Sequence, residues 1–240
     1  MIIFGEIFMR EDICTIPVSE AFEEIDGCPI CRMYKTVEER ILTYIMGDAM
    51  MEPDVRIETN KVGFCPDHLN KMMSMRGRLQ LSLMLETHLK EISDTVFSKK
   101  LFSGAEGRAK AAKKFNDNCF VCDKIGRGFD RMIDTIYRTY EKDKDFRELF
   151  NGQPQFCLHH FELLISGANK KRMPKYHKEF SDNITRITGE HCRTLCEDIT
   201  AFCKMYDYRS KDAENPDSAH IKLSPERAVG FLNGQIPDEK

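Results

Sequence analysis

The sequence has little of what marks membrane-spanning, secreted or nucleic-acid-binding proteins. Tryptophan is absent, and no apolar stretch reaches the roughly 20 residues that a membrane-spanning helix needs. The net charge is only −3 and the pI about 6.2, so the chain has no overall electrostatic attraction for nucleic acid or an acidic membrane. The apolar start, residues 1–8, is short and lacks a basic leader, which is not typical of a signal peptide. We therefore expect a cytoplasmic protein that contacts neither membrane nor nucleic acid.

The alternation of apolar and polar residues that marks a half-buried strand is also missing. Apolar residues instead recur at steps of three and four, as in Met33, Val37, Ile41 and Ile45. Hydrophobic residues make up 41% of the chain and charged residues 31%, which fits an ordinary globular protein. The sequence therefore predicts an all-α fold, a helical bundle.

What the sequence does contain is a cysteine pattern that occurs twice. In each copy a Cys-x-x-Cys pair is followed by Phe-Cys-x-x-His. The third cysteine lies 37 positions after Cys28 in the first copy and 38 positions after Cys119 in the second. Repetition at nearly one interval, in a chain expected in a reducing compartment, favours metal binding over disulfide bonds.

Three thiolates and one imidazole are a ligand set of tetrahedral Zn²⁺. Cysteines separated by two residues can turn both sulfurs toward one point, and Cys-x-x-His places its two side chains on one helix face. We predict that each copy forms its own site by closing a loop of nearly forty residues, which gives two zinc ions per chain. The predicted ligands are Cys28, Cys31, Cys65 and His68 in the first copy and Cys119, Cys122, Cys157 and His160 in the second.

One histidine ligand has a neighbour of the same type. His159 and His160 are adjacent, and either could reach a metal near Cys157. Register with His68, three residues after its cysteine, selects His160. His159 is then a surface residue or a support for the ligands.

The sequence predicts a helix at each motif. Pro66 suits the first position of a helix, so we expect Cys65 at a helix start and His68 one turn further on. A thiolate is stabilised in that position. In the helix predicted over 32–50, Glu38 and its two charged neighbours are expected to face outward.

Two segments have the composition of loops or linkers that connect helices. Residues 52–63 are expected to form a loop or a broken helix, in which Arg56, Glu58 and Asn60 are either solvated or support the metal ligands. Residues 99–114 are basic and glycine-containing, which is typical of a solvated linker.

The last third of the chain is predicted to form one long helix or two over 174–208, then a final helix capped by Ser224. Cys192, Cys196 and Cys203 share one face of the long helix. We expect them to pack as small buried thiols, the alternative being a third metal site.

Six short segments form a specific combination over nearly the whole chain: residues 17–22, 28–31, 59–65, 129–131, 156–161 and 207–209. In this combination the sequence resembles a family of uncharacterised bacterial proteins, a domain of unknown function with the same doubled motif. The resemblance implies a mainly helical fold and the doubled ligand set. It implies no activity.

These observations predict one helical domain, 1–240, with an internal duplication: a first unit at about 17–98, a second at about 115–208, and C-terminal helices. The leading functional hypothesis is a zinc-binding protein with two structural Cys3His sites, because four protein ligands leave no open position for water. Its role would be interaction or regulation through an unidentified protein partner. The sequence identifies no catalytic residue, and it does not indicate the oligomeric state.

Two other hypotheses use the same residues. An iron–sulfur or thiol-redox protein could employ the same cysteines and histidines, since histidine ligation is known in clusters. A metal-dependent enzyme would need an acid–base set, for which Asp67, His159, Glu58 and Glu162 lie near ligands in the sequence. Nothing in the sequence groups these four together.

Overall fold

The chain folds entirely into helices where its structure is described. A computed structural model describes residues 11–98, 104–206 and 219–234. Within these ranges there are twelve α-helices, a 3-10 turn over Asp48–Met51, a π-helical turn over Ser93–Phe97 and no strand, which confirms the predicted all-α fold. The helices are α1 Glu11–Glu23, α2 Pro29–Met46, α3 Pro53–Val62, α4 Pro66–Ser74, α5 Arg78–Ile92, α6 Ala105–Asn116, α7 Phe120–Lys142, α8 Lys144–Asn151, α9 Leu158–Gly167, α10 His177–Met205, α11 Ala219–Lys222 and α12 Ser224–Asn233.

These helices belong to two compact units. Unit 1 comprises the described parts of Met1–Tyr34 and Asp130–Lys240, and unit 2 is the described part of Lys35–Phe129. The boundaries between the units fall inside α2 and α7. Each unit therefore contains parts of both motif copies, whereas the predicted duplication divides the chain between the copies. The single duplicated domain stays a prediction.

The core of unit 1 is a cluster of aromatic side chains. Phe150 lies at its centre, with ring centroids 4.7 Å from Phe180, 5.0 Å from Phe156 and 5.1 Å from Tyr140. All four are fully buried, and so is Phe22, whose ring stacks on that of Phe150. Because Phe156 directly precedes Cys157, this core fixes the backbone that carries a predicted ligand.

The core of unit 2 is aliphatic and rich in methionine, with Ile45, Met72 and Met84 almost wholly buried. The expected connection over 52–63 is mostly a helix, α3, because Pro53 suits a first helical position and the charged residues are satisfied. Arg56 donates to the backbone oxygen of Leu83 at 3.1 Å and to Thr87 Oγ1 at 3.2 Å, and Thr87 donates to Asn60 Oδ1 at 2.8 Å. These hydrogen bonds tie α3 to α5.

Two other expectations need correction, and one choice between alternatives is resolved. The basic linker predicted over 99–114 is helix α6 from Ala105, while 99–103 lies outside the described residues. Ser224 is not the cap of the last helix but the first residue of α12, and Leu223 occupies the N-cap position without a side-chain hydrogen bond. The long C-terminal helix is a single helix, α10, and residues 207–209 of the family resemblance lie outside the described ranges.

The cysteines of α10 do not pack in the core. Cys192 is partly exposed, and Cys196 and Cys203 are exposed, because the buried face of this helix is formed by residues such as Ile184 and Leu195. The prediction that these three thiols are buried was wrong. Among the described residues they also join no group of metal ligands.

Within the described ranges, no helix combines the length and the apolar character needed to cross a membrane.

Candidate metal centres

The eight predicted ligands come together in two groups of four. Site 1 lies in unit 1, site 2 lies in unit 2, and in each the four ligand atoms are within 4.8 Å of one another. Each group offers three sulfurs and one imidazole nitrogen, and each could hold a metal ion. Site 1 is formed by Cys28, Cys31, Cys157 and His160, and site 2 by Cys65, His68, Cys119 and Cys122.

The pairing differs from the one predicted. Each site combines the Cys-x-x-Cys of one motif copy with the Cys-x-x-His of the other, so the expectation that each copy forms its own site was wrong. Cys31 and Cys157, in contact in site 1, are 126 positions apart in the chain, and Cys65 and Cys122 in site 2 are 57 apart. Either pairing satisfies the same ligand chemistry. The fold decides between them, because each compact unit is assembled from both copies.

Both sites are built on the beginnings of helices. Cys65 and Cys157 are the N-cap residues of α4 and α9, with nearly the same extended backbone angles. Cys28 and Cys119 directly precede α2 and α7. The backbone oxygens of all four accept the first helical hydrogen bond, at 2.8–3.3 Å. Each site thus receives two helix N-termini, whose partial positive charge stabilises thiolates.

The spacing of the ligand atoms matches a tetrahedron around one ion. A Zn²⁺ with bonds of about 2.3 Å to sulfur and about 2.05 Å to nitrogen holds its ligands roughly 3.8 Å apart for sulfur pairs and roughly 3.6 Å for sulfur–nitrogen pairs. In site 1, Cys31 Sγ and Cys157 Sγ are 3.6 Å apart, and His160 Nδ1 lies 3.1–3.6 Å from the three sulfurs. In site 2 the corresponding distances are 3.9 Å between Cys65 and Cys122 and 3.1–3.4 Å to His68 Nδ1.

The nitrogen that faces the thiols is Nδ1 in both histidines. In His68 the other nitrogen, Nε2, lies 3.0 Å from Glu38 Oε1, and Glu38 Oε2 is 2.6 Å from Lys71 Nζ. A carboxylate in this position accepts a hydrogen bond from the Nε2–H group, which fixes the ring orientation and leaves the Nδ1 lone pair available to a metal. His160 resolves the choice between the adjacent histidines, since it faces the thiols while His159 is exposed.

Glu38 is the supporting residue that the sequence analysis missed. It was expected to face outward, but it is only 7% exposed. A signal was present, because Glu38 precedes Leu42 by four residues and Ile45 by seven, and both are buried on the same face of α2. Burial of a carboxylate requires partners, and His68 and Lys71 are those partners.

The thiol pKa values show how much negative charge each group tolerates without a cation. In site 1, burial raises the pKa of Cys28, but hydrogen bonds with Cys157, Cys31 and His160 outweigh it and leave that pKa well below its usual range. The pKa of Cys31 is raised far above its usual range by its contacts with Cys157 and Cys28 and by burial. One thiolate therefore forms readily and a second beside it does not.

Site 2 repeats this pattern. Burial raises the pKa of Cys119, but hydrogen bonds, chiefly with His68, lower it to about 6. Burial and the neighbouring Cys119 raise the pKa of Cys122 to about 12. The pKa of His68, lowered by burial but raised more by Cys119 and Cys65, is about 9. These shifts favour one thiolate beside a protonated imidazole in site 2, and a divalent cation is what would let the remaining thiols ionise together.

The two sites differ in access to solvent. All four side chains of site 1 are buried, none more than 5% exposed. The end of α12 lies against them: the backbone oxygen of Gly234 is 3.0 Å from Cys31 Sγ, and a Cβ on Gly234, at φ +69°, would meet Cys157 Sγ at 3.3 Å. In site 2, His68 and Cys119 are buried, whereas Cys65 is partly exposed and Cys122 is exposed.

Site 2 is supported by buried residues next to its ligands in the chain. Phe64 and Phe120 are buried with their rings 6.4 Å apart, and the backbone N–H of Phe120 donates to the oxygen of Gly63 at 2.9 Å. Gly63 has φ +77°, and a Cβ there would meet the His88 ring at 2.8 Å. His88 Nδ1 lies 2.9 Å from the backbone oxygen of Asn60, so this histidine has a structural partner and is not a ligand. Any side chain at Gly63 would displace the segment that leads to Cys65.

The residues weighed for acid–base catalysis are divided between the two units. Asp67 and Glu58 belong to unit 2, and His159 and Glu162 belong to unit 1. Asp67, His159 and Glu162 are exposed. Glu58 forms an ion pair with Lys124 at 2.9 Å, and Lys124 follows Cys122 in the first turns of α7. Glu58 therefore braces the helix that carries two ligands.

Comparison with known proteins places the chain in a family. DUF6062, a family of unknown function, matches residues 9–239, and the chain belongs to it. No curated protein matches the chain, and no solved structure does.

Proposed function

We propose that this member of the DUF6062 family is a zinc-binding protein that holds one Zn²⁺ in site 1 and one in site 2. The observation that carries the proposal is the tetrahedral spacing of three sulfurs and one nitrogen, reached by two different pairs of chain segments. Three thiolates and an imidazole are soft and borderline ligands, which suit Zn²⁺ better than the oxygen-preferring Mg²⁺ or Ca²⁺.

The proposed role of the metal in site 1 is structural. Four buried protein ligands fill the coordination shell and leave no position for a substrate or a reactive water. The ion would join the start of α2 to the start of α9, beside the aromatic core. We expect it to contribute to the folding of unit 1, since binding energy at a closed site is available only to the folded chain.

The spacing favours a single ion over an iron–sulfur cluster. A cluster places several iron and sulfide atoms between its cysteines, so its ligands stand further apart than the edges of one tetrahedron. Here the measured sulfur–sulfur contacts are 3.6 and 3.9 Å. With both metals in place, the protein would serve an interaction or regulatory role in the cytoplasm through a protein partner.

The test is elemental analysis with an absorption spectrum, on protein purified without oxygen and without added metal. We expect about two zinc ions per chain, one for each group of four ligands, and no visible absorbance. The variant Cys196→Ser, which removes an exposed thiol outside both sites, should give the same metal content. Iron with sulfide and broad visible absorbance would replace this proposal by a redox function, and a chain without metal would refute it.

A further inference from the structure

Site 2 presents a pair of thiols to solvent, and site 1 does not. Cys122 is exposed, Cys65 is partly exposed, and their Sγ atoms are 3.9 Å apart. In site 1, Cys31 and Cys157 are closer still, at 3.6 Å, but both are at most 5% exposed. Both sites therefore have closely spaced sulfurs, and they differ in whether those sulfurs are exposed to solvent.

We propose that site 2 is a redox-active zinc–thiolate centre, in which a peroxide converts Cys122 and Cys65 into a disulfide and Zn²⁺ is released. This inference rests on the proposed zinc binding and adds a regulated site to it. The substrate class is a small hydroperoxide, which can reach an exposed sulfur without any opening of the fold.

The first step is oxidation of Cys122. A metal-bound thiol is deprotonated, and the thiolate is the nucleophilic form of cysteine. With hydrogen peroxide, the Cys122 sulfur attacks one oxygen, an S–O bond forms, the O–O bond breaks and hydroxide leaves; an alkyl hydroperoxide would release an alkoxide instead. The sulfur becomes a sulfenic acid, having lost two electrons, and the peroxide gains those two electrons. The buried Cys119 is shielded from this attack, since it is 4% exposed.

The second step joins Cys65 to Cys122. The Cys65 thiolate attacks the sulfenic sulfur, an S–S bond forms, the S–O bond breaks and a second hydroxide leaves. Two protons from solvent convert the two hydroxides to water. The sulfurs must approach by about 2 Å to reach disulfide bond length. Zn²⁺ then keeps only Cys119 and His68 as protein ligands in this site and dissociates.

The geometry of the supporting residues suits a site that empties without unfolding. His68 remains bonded to Glu38 through Nε2, and Glu38 to Lys71, so the histidine keeps its position when the metal leaves. Gly63 and Phe120 hold the two ligand-bearing segments together through a backbone hydrogen bond that involves no ligand atom. Reduction of the disulfide in the presence of zinc should therefore restore the site.

The experiment treats zinc-loaded wild-type protein with hydrogen peroxide, measures free zinc with a chromogenic indicator, and maps disulfides by mass spectrometry without reduction. The zinc content is measured first, and a chain without zinc overturns the proposed function together with this inference. With two zinc ions bound, we expect one to be released alongside a Cys65–Cys122 disulfide, and one to remain.

Three results with zinc-loaded protein would overturn the inference and leave the proposed function intact: no release, release of both ions at one rate, or release with a different disulfide. Cys196→Ser is the matched control, because it removes an exposed thiol that is not a ligand and should release zinc as the wild type does. Cys122→Ser would remove a ligand as well as the reactive thiol. The disulfide map of the wild-type protein is therefore the deciding readout.

Discussion

Site 1 and site 2 have the same ligand types on the same kind of helix start, but they lie in different surroundings. Site 1 is wholly buried and the end of α12 lies against it, whereas site 2 leaves Cys122 open to solvent and holds its histidine through Glu38. The ligand set determines which metal a site prefers. The surroundings determine how fast that metal exchanges and which reagents reach it.

The two sites should differ most strongly in how fast they lose their metal. An excess of chelator at neutral pH is expected to remove the metal of site 2 first, because Cys122 is exposed. Release from the buried site 1 requires unit 1 to open. Each additional 1.4 kcal/mol of opening free energy slows release about tenfold. Loss of the second metal should unfold unit 1, since a structural zinc contributes on the order of 10 kcal/mol.

The measurement follows zinc release over time and alkylates the freed cysteines for identification by mass spectrometry. Cys65, Cys119 and Cys122 should be labelled in the first phase, and Cys28, Cys31 and Cys157 in the second. Release in a single phase, or early labelling of the second set, would show that burial does not control exchange.

A mutation in the core of unit 1 should weaken site 1 and spare site 2. Phe150→Ala removes a fully buried ring from the centre of the aromatic cluster, and we expect a loss of about 3–5 kcal/mol in the stability of unit 1. The metal affinity of site 2 should not change, because all its ligands belong to unit 2. Denaturant unfolding and metal titration measure the two effects.

Leu149→Ala is the matched control for this variant, since Leu149 is the preceding residue and is 37% exposed. It should lower stability by no more than about 1 kcal/mol. An equal loss of metal from both sites in Phe150→Ala would mean that the two units do not behave separately.

Replacement of Glu38 should have a smaller effect, confined to site 2. Glu38→Gln keeps the shape of the side chain but removes the negative charge of the group that accepts the hydrogen bond from His68 Nε2–H. We expect the affinity of site 2 for zinc to fall 10- to 100-fold, or about 1.4–2.7 kcal/mol, as for other residues that orient a metal-bound histidine. Glu39→Gln, at the exposed neighbouring position, is the control and should change nothing. Unchanged affinity in Glu38→Gln would remove the orienting role.

The sequence predicted which eight side chains form the candidate sites better than it predicted how they combine. Spacing within each motif is local, so Cys65 at a helix start and His68 one turn later followed directly from the residues between them. The pairing of the motifs depends on which helices share a unit, and no local pattern carries that information. Pairing within one motif copy was expected because it closes the shorter loop. The fold instead brings together Cys31 and Cys157, which lie 126 positions apart.

The errors in the fold have similar causes. The Glu38 side chain was predicted to be exposed because charged residues mostly are. Its burial is explained only by its tertiary partners, His68 and Lys71. The three cysteines of α10 were predicted to be buried because free thiols often are. Their periodicity alone could not show which face of α10 meets the core.

The most direct test of the exchanged pairing compares the metal content of two double variants by elemental analysis. Cys28→Ser with Cys157→Ser alters site 1 twice, so the protein should keep about one zinc ion per chain in site 2. Cys28→Ser with Cys65→Ser alters both sites, so it should keep none. The opposite result, one ion in the second variant and none in the first, would mean that each motif copy forms its own site and would contradict the exchanged pairing.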